Sequence, residues 1–192
     1  MKFILVMLVG LGVTIGCTWF WFPVVAEETD KEYYSDYLNY EHEMGYMDAS
    51  VFEKIHCMAE ALYFEAGNQP LVGKIAVASV IINRANSVDF PDTICDVVHQ
   101  GPVRESWKKN GVYFPVKHRC QFSYYCDGRS DEPKFGPTWD DCLIVAEWML
   151  DGDRWYLDHM EGATHYHAYY VNPKWASDLQ LVAKIQDHLF YK

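Results

Sequence analysis

The chain has 192 residues, 50% of them apolar and 16% aromatic, which is the size of one domain with a substantial buried core. Its formal net charge is −11, and removing the first 26 residues takes away one cation, Lys2, and no acid. A body so acidic repels phosphates, which argues against a nucleic-acid partner.

Residues 3–26, FILVMLVGLGVTIGCTWFWFPVVA, carry no charge and follow Met1-Lys2. A run of about 24 apolar residues exceeds the core of a usual signal peptide and can span a bilayer. Residues 1–26 are therefore expected to be a signal anchor that makes the membrane a partner, with Trp19 to Phe22 as an interfacial aromatic belt and the positive N-terminus left inside. VVA before Glu27 offers the alternative, a cleavage site, and on either reading the protein is exported. Cys17 is a poor lipoprotein match, because Thr14 stands where a leucine is expected. Residues 27–50, EETDKEYYSDYLNYEHEMGYMDAS, are acidic around a single lysine and show no apolar period, so they read as a tether to a folded domain over 51–192.

From Val51 the pattern turns helical. Ile55, Met58, Ala59, Leu62, Tyr63 and Ala66 recur at three- and four-residue intervals, and Gly67 is the stop, which leaves Glu65 in the last turn. A second helix is predicted from Pro70 through LVGKIAVASVIINRANS, so rich in small and aliphatic residues that it should be buried nearly all round. PDTICDVVHQ, 91–100, predicts a short third helix opened by Pro91-Asp92. RCQFSYYCDG then alternates, predicting a strand with Gln121, Ser123 and Tyr125 on one face and Phe122 and Tyr124 on the other. TWDDCLIVAEWMLDG predicts a fourth helix with Thr138 as N-cap and Gly152 just past its end. ATHYHAYYV is β-rich, with His165, His167 and Tyr169 on one face, and LQLVAKI alternates again. The class is α+β, a helical body with a small antiparallel sheet and a cleft where they meet. Five cysteines lie outside the leader; Cys120 and Cys126 are the nearest pair, and in an exported chain one or two disulfides are expected with one thiol left over.

Three groups of residues could carry chemistry. Glu65 sits among Leu62, Tyr63 and Phe64 at a helix C-terminus, where desolvation and the negative end of the helix dipole both favour the protonated acid; the commoner fate of a late-helix glutamate is a solvated surface. Gln121 and Ser123 offer donors and acceptors suited to the hydroxyl and N-acetyl groups of an amino sugar, or else satisfy backbone at a sheet edge. His165 and His167, at strand spacing, could bind zinc with His159, His118 or a cysteine, but no HExxH or CxxC accompanies them, and hydrogen-bonded cleft residues are the preferred reading, with no metal or cofactor expected.

Taken together and in order, MAEALYFEAGNQPLVGKIAVASVIINRANSVDFPDTICDVVHQ, CQFSYYCDG, ATHYHAYYVNPKWA and HLFYK resemble the SleB/CwlJ-type cell-wall hydrolases over about residues 55–191. This chain departs from the pattern after the Glu-Ala pair, where Gly67-Asn68-Gln69 stand in place of the usual Arg-Gly-Glu. The resemblance implies a lysozyme-like, lytic-transglycosylase-like domain with peptidoglycan as substrate. Glu65 is then the single catalytic carboxyl, cleaving the MurNAc–GlcNAc bond, with Gln121, Ser123, Tyr125, His165, Tyr166 and His167 along the sugar groove. The residues agree on one point by themselves: ordinary glycosidases need two carboxyls about 5–9.5 Å apart, yet Glu60 lies roughly 140° round the helix from Glu65. Asp127 and Asp131 are the loop acids that could supply a second group for hydrolysis. A metal-dependent amidase using His165 and His167, or a non-catalytic peptidoglycan-binding module, are the rival functions; oligomeric state does not follow from the sequence.

Overall fold

Where the apolar periods end in capping and turn residues, the chain forms helices, and a computed structural model describes residues 48–151, 160 and 162–192. The expected anchor, almost all of the tether, Gly152 and His159 lie outside the described residues. Among the described residues, no helix is long and apolar enough to cross a membrane.

Helix α1, Ala49–Ala66, starts where the Asp48 carboxylate accepts the Ser50 N–H at 2.8 Å, the usual way of satisfying an orphan donor at a helix start. After Gly67, α2 spans Leu71–Ala85 with Pro70 as its cap, and residues 73–82 are buried without a break, as its composition requires. Gly73 allows the close turn between these helices, since a Cβ there would meet the Gln69 side chain at 2.8 Å. Helix α3, Ile94–Val98, begins later than Pro91-Asp92 suggests, because the Thr93 hydroxyl caps the Asp96 N–H at 3.1 Å. Helix α4, Pro137–Asp151, begins earlier than expected: the Gly136 carbonyl already accepts from Trp139 and Asp140, so Thr138 lies inside the first turn.

Helix α1 packs against the other three. Met58, Leu62, Val77, Val80, Ile81, Val97 and Val98 are at most 0% exposed at this junction, each contributing about 1.5–3 kcal/mol of burial. A disulfide, Cys57–Cys95, ties α1 to the start of α3, and Cys142 is free and buried in α4.

Among the described residues, two small antiparallel sheets complete the body. Strands β1, Val103–Glu105, and β2, Tyr113–Pro115, form a hairpin that the alternation pattern did not foretell, because each strand has three residues and both are mostly exposed. Strands β3, His165–Ala168, β4, Leu181–Ile185, and β5, His188–Tyr191, form a sheet in the order β3-β5-β4. Tyr166 pairs with Phe190 and His165 with Tyr191. Tyr169 falls beyond the end of β3.

The strand expected over RCQFSYYCDG does not exist. The segment turns through a 3-10 helix, Ser123–Cys126, and Cys120 is bonded to Cys126 with their Cα atoms 6.0 Å apart. Six residues of extended chain would separate those Cα atoms by about 20 Å, so the pairing and a straight strand exclude each other. With about three residues per turn, Ser123 and Tyr125 no longer share a face.

Candidate active site

A cleft of about 560 Å³ opens between the C-terminal end of α1, the 121–123 turn and the edge strand β3, with Glu65, Arg84, Gln121, Ser123, His165, Tyr166 and His167 among its walls. Because β3 is an edge strand, residues from both of its faces reach the opening. Six of the seven residues singled out from sequence therefore meet in one place. Tyr125 does not: its ring stacks on His99 with centroids 4.3 Å apart, a consequence of the 3-10 turn.

Glu65 is the one carboxylate among the described residues lining this cleft. Burial pushes its pKa up, while the Tyr166 hydroxyl, the Ser123 backbone N–H and the Arg84 charge pull the other way. Tyr166 donates to Glu65 Oε2 at 3.2 Å, which helps to orient the carboxyl. Burial followed by the adjoining Glu65 holds the Tyr166 phenol well above its usual range, so it stays a neutral donor. Glu65 is thus protonated beyond the usual carboxylate range yet supplied with partners for its anion, which suits a group that gives up a proton and then takes one back.

Arg84 was not singled out from the sequence, although a cation closing a largely apolar helix is a visible signal. It is 4% exposed; its Nε donates to the Thr164 carbonyl at 2.7 Å, and its guanidinium lies 5.1 Å from the Phe90 ring centre and 5.5 Å from that of Phe122. Its Nη1 is buried without a protein partner, and the residue contributes to the cleft wall. Asn83 beside it donates to the carbonyls of Met160 and Ala163, each at 2.9 Å, so the end of α2 holds the chain that leads into β3.

The imidazoles form the far wall. His167 Nδ1 lies 2.9 Å from the Ala168 carbonyl and Nε2 lies 3.0 Å from the Tyr191 hydroxyl. A carbonyl only accepts, so in the neutral ring the proton is on Nδ1 and Nε2 accepts from Tyr191. His165 Nδ1 contacts the Thr164 hydroxyl at 2.9 Å, and burial followed by the Arg84 charge lowers its pKa. Trp175, also unanticipated, packs against both rings with centroids 5.3 and 5.5 Å away and lines the cleft beside the 77% exposed Tyr170. Neither sits in a periodic pattern that would have pointed to it. Of the third ligands considered for zinc, His118 lies on the exposed 117–118 turn, and among the described residues no three His, Cys, Asp or Glu side chains gather as a metal set.

The other acids lie elsewhere. Glu60 is held up to about 7 by burial and then by Asp131, against a hydrogen bond from Tyr124. Asp131 in turn is raised by burial and by Asp127, and neither aspartate lines the cleft. Gln69, from the divergent Gly67-Asn68-Gln69 stretch, is buried; its side chain donates to Asp187 at 3.1 Å and its carbonyl accepts from Lys74 at 3.0 Å. That substitution ties the α1–α2 corner to the β4–β5 turn rather than facing the cleft.

The sequence profile described as Cell Wall Hydrolase matches residues 68–191, a span that begins just after Glu65. The spore cortex-lytic enzyme of Halalkalibacterium halodurans is 46% identical over 56 residues, 29% of this chain and 16% of that protein. The spore cortex-lytic enzyme of Oceanobacillus iheyensis is 50% identical over 46 residues, 24% of this chain and 17% of that protein. The match thus spans less than a fifth of the length of these curated relatives. The crystal structure of the catalytic domain of the Bacillus cereus SleB protein superposes with a TM-score of 0.51 at 26% identity, covering 72% of this chain and 89% of that one.

Proposed function

The chain belongs to the cell wall hydrolase family, and from that premise we propose that it cleaves peptidoglycan at the MurNAc–GlcNAc bond as a lytic transglycosylase, with Glu65 as its single acid and base. Its lysozyme-like α+β fold supplies the scaffold. The observation that carries the reading is a carboxyl whose pKa burial raises and which is the one carboxylate among the described residues lining a cleft of about 560 Å³.

The chemistry runs in two steps. Protonated Glu65 gives its proton to the glycosidic oxygen; the C1–O bond of N-acetylmuramic acid breaks, and the sugar's own acetamido oxygen stabilises the positive anomeric carbon. The Glu65 carboxylate, held by Tyr166, then takes the proton from the muramic C6 hydroxyl as O6 bonds to C1, which gives a 1,6-anhydro end and returns Glu65 to its starting state. No water is consumed, so no second carboxylate is required to activate one. Gln121, Ser123, His165 and His167 are assigned to holding the sugars, and Trp175 offers an aromatic wall for a ring.

Digestion of purified peptidoglycan followed by mass spectrometry of the fragments tests this. Anhydro-muropeptides are expected, absent with Glu65→Gln. Reducing ends would instead indicate hydrolysis, free stem peptides an amidase, and wall binding without soluble fragments a non-catalytic module. We assign residues 1–26 to holding the exported chain at the membrane and 27–50 to a tether for the domain over 51–192; recovery of the mature protein only in a soluble fraction, cut after Ala26, would overturn the anchor.

A further inference from the structure

The β1–β2 hairpin stands apart from the chemistry of the cleft. Between Pro102 and Arg119 the chain places five of its 16 Lys and Arg residues and one of its 27 acids. On a chain of net charge −11 this is a concentrated cationic element, and all five cations are exposed. The same segment carries bare aromatic surface: Trp107 is 89% exposed and Phe114 50%. Apolar surface of this kind, kept uncovered on a short ribbon, marks an interaction site.

The hairpin is nonetheless held in shape. Gly111 N–H donates to the Glu105 carboxylate at 2.8 Å, Ser106 N–H to the Val112 carbonyl at 2.7 Å and Val116 N–H to the Pro102 carbonyl at 2.8 Å. Its one acid is thereby engaged in its own turn, leaving the cations to dominate the surface. Arg104 is paired across the ladder with Phe114, and these two, with Trp107, Lys108 and Lys109, line a concavity of about 460 Å³. The ends of the hairpin converge on the cleft: Gln121 N–H donates to the Gln100 carbonyl at 2.9 Å, and Gln121 is itself a cleft residue.

Aromatic platforms beside cations in one concavity fit a polymer that presents sugar rings and carboxylates together. A bilayer would be met by an apolar apex with cations set behind it. Here Lys108, Lys109 and Asn110 form the apex, and Lys108 Nζ lies 4.8 Å from the centre of the Trp107 ring. We propose that the hairpin is a second, non-catalytic docking site for a peptidoglycan strand, with Trp107 and Phe114 stacking on sugars and Arg104, Lys108 and Lys109 pairing with stem-peptide carboxylates. The proposal rests on the peptidoglycan reading of the cleft. It also answers a problem that the chain's charge creates, since an acidic body repels a polymer rich in carboxylates, and a strand held at the hairpin raises the local concentration of glycan at the cleft beside it.

The test is co-sedimentation of the full chain carrying Glu65→Gln with isolated sacculi. Adding Trp107→Ala with Phe114→Ala, or separately Arg104→Ala with Lys108→Ala and Lys109→Ala, is expected to weaken binding about tenfold with thermal unfolding unchanged. Salt should weaken the parent and barely affect the charge-depleted chain, and amidating the sacculus carboxylates should reproduce the loss. Unchanged binding in both variants would overturn the proposal, as would a loss seen on phosphatidylglycerol vesicles and not on sacculi. Hairpin-dependent binding by a chain whose Glu65 form releases no fragments would overturn the cleavage reading and leave docking standing; anhydro-fragment release with hairpin-independent binding would do the reverse.

Discussion

Glu65 is poised between two opposed influences. Burial favours its acid form, while Tyr166, Ser123 and Arg84 favour its anion. Glu65→Gln should reduce glycan cleavage by about 10²–10⁴-fold, the usual worth of a general acid, without loss of folding. Because the pKa is raised, the acid persists above the usual carboxylate range and activity should fall as pH rises through the raised value. Arg84 acts to lower it, so Arg84→Gln is expected to move that basic limb to higher pH, and Arg84→Lys to return it part of the way; the pH profile of kcat/KM reads both. Glu60 makes a stability prediction of the same sign. Its folded pKa of about 7 lies above the usual value, so the neutral form contributes stability that is complete below the ordinary carboxylate range and lost as pH rises toward 7. In Glu60→Gln the fall of Tm between mildly acid and neutral pH should be smaller, and thermal unfolding across that range checks it.

At the scale of elements, the two disulfides have different duties. Cys57–Cys95 closes a separation of 38 residues and joins two core helices, so removing it should cost about 4 kcal/mol. Cys120–Cys126 closes a separation of only six, for which the same relation gives about 2 kcal/mol. That short loop carries Gln121 and Ser123 into the cleft, so Cys120→Ser with Cys126→Ser should raise KM for peptidoglycan more than it lowers stability. Urea unfolding and steady-state kinetics on both double variants separate the two roles. Asn83→Ala strands two carbonyls ahead of β3 and should cost about 1–3 kcal/mol, measured by urea unfolding. The helices were legible because their apolar period is local, and β3 and β4 because their segments are β-rich or alternate; β5, His188–Tyr191, was not among the strands read from the sequence. RCQFSYYCDG also alternates, yet a covalent bond between its ends overrides that pattern. The β1–β2 hairpin was illegible for another reason: with little burial there is no period to read.

For the molecule as a whole, the order of motifs along the chain is a property of sequence, and it was sufficient to bring out the family resemblance and the candidacy of Glu65. Six of the candidate site residues converge from α1, the 121–123 turn and β3, segments far apart in the chain. That convergence depends on long-range packing, so spacing alone could not reveal that Tyr125 would leave the group or that Arg84, Tyr170 and Trp175 would join it. The sequence by itself determined the helices and which acid stands at a helix end among apolar neighbours, because these depend on residues within a few turns of one another. The tertiary structure alone decided that, among the described residues, this acid has no second carboxylate beside it in the cleft, that Tyr166 donates to it and that the Arg84 charge acts on it, because those facts are distances between side chains separated by tens of residues.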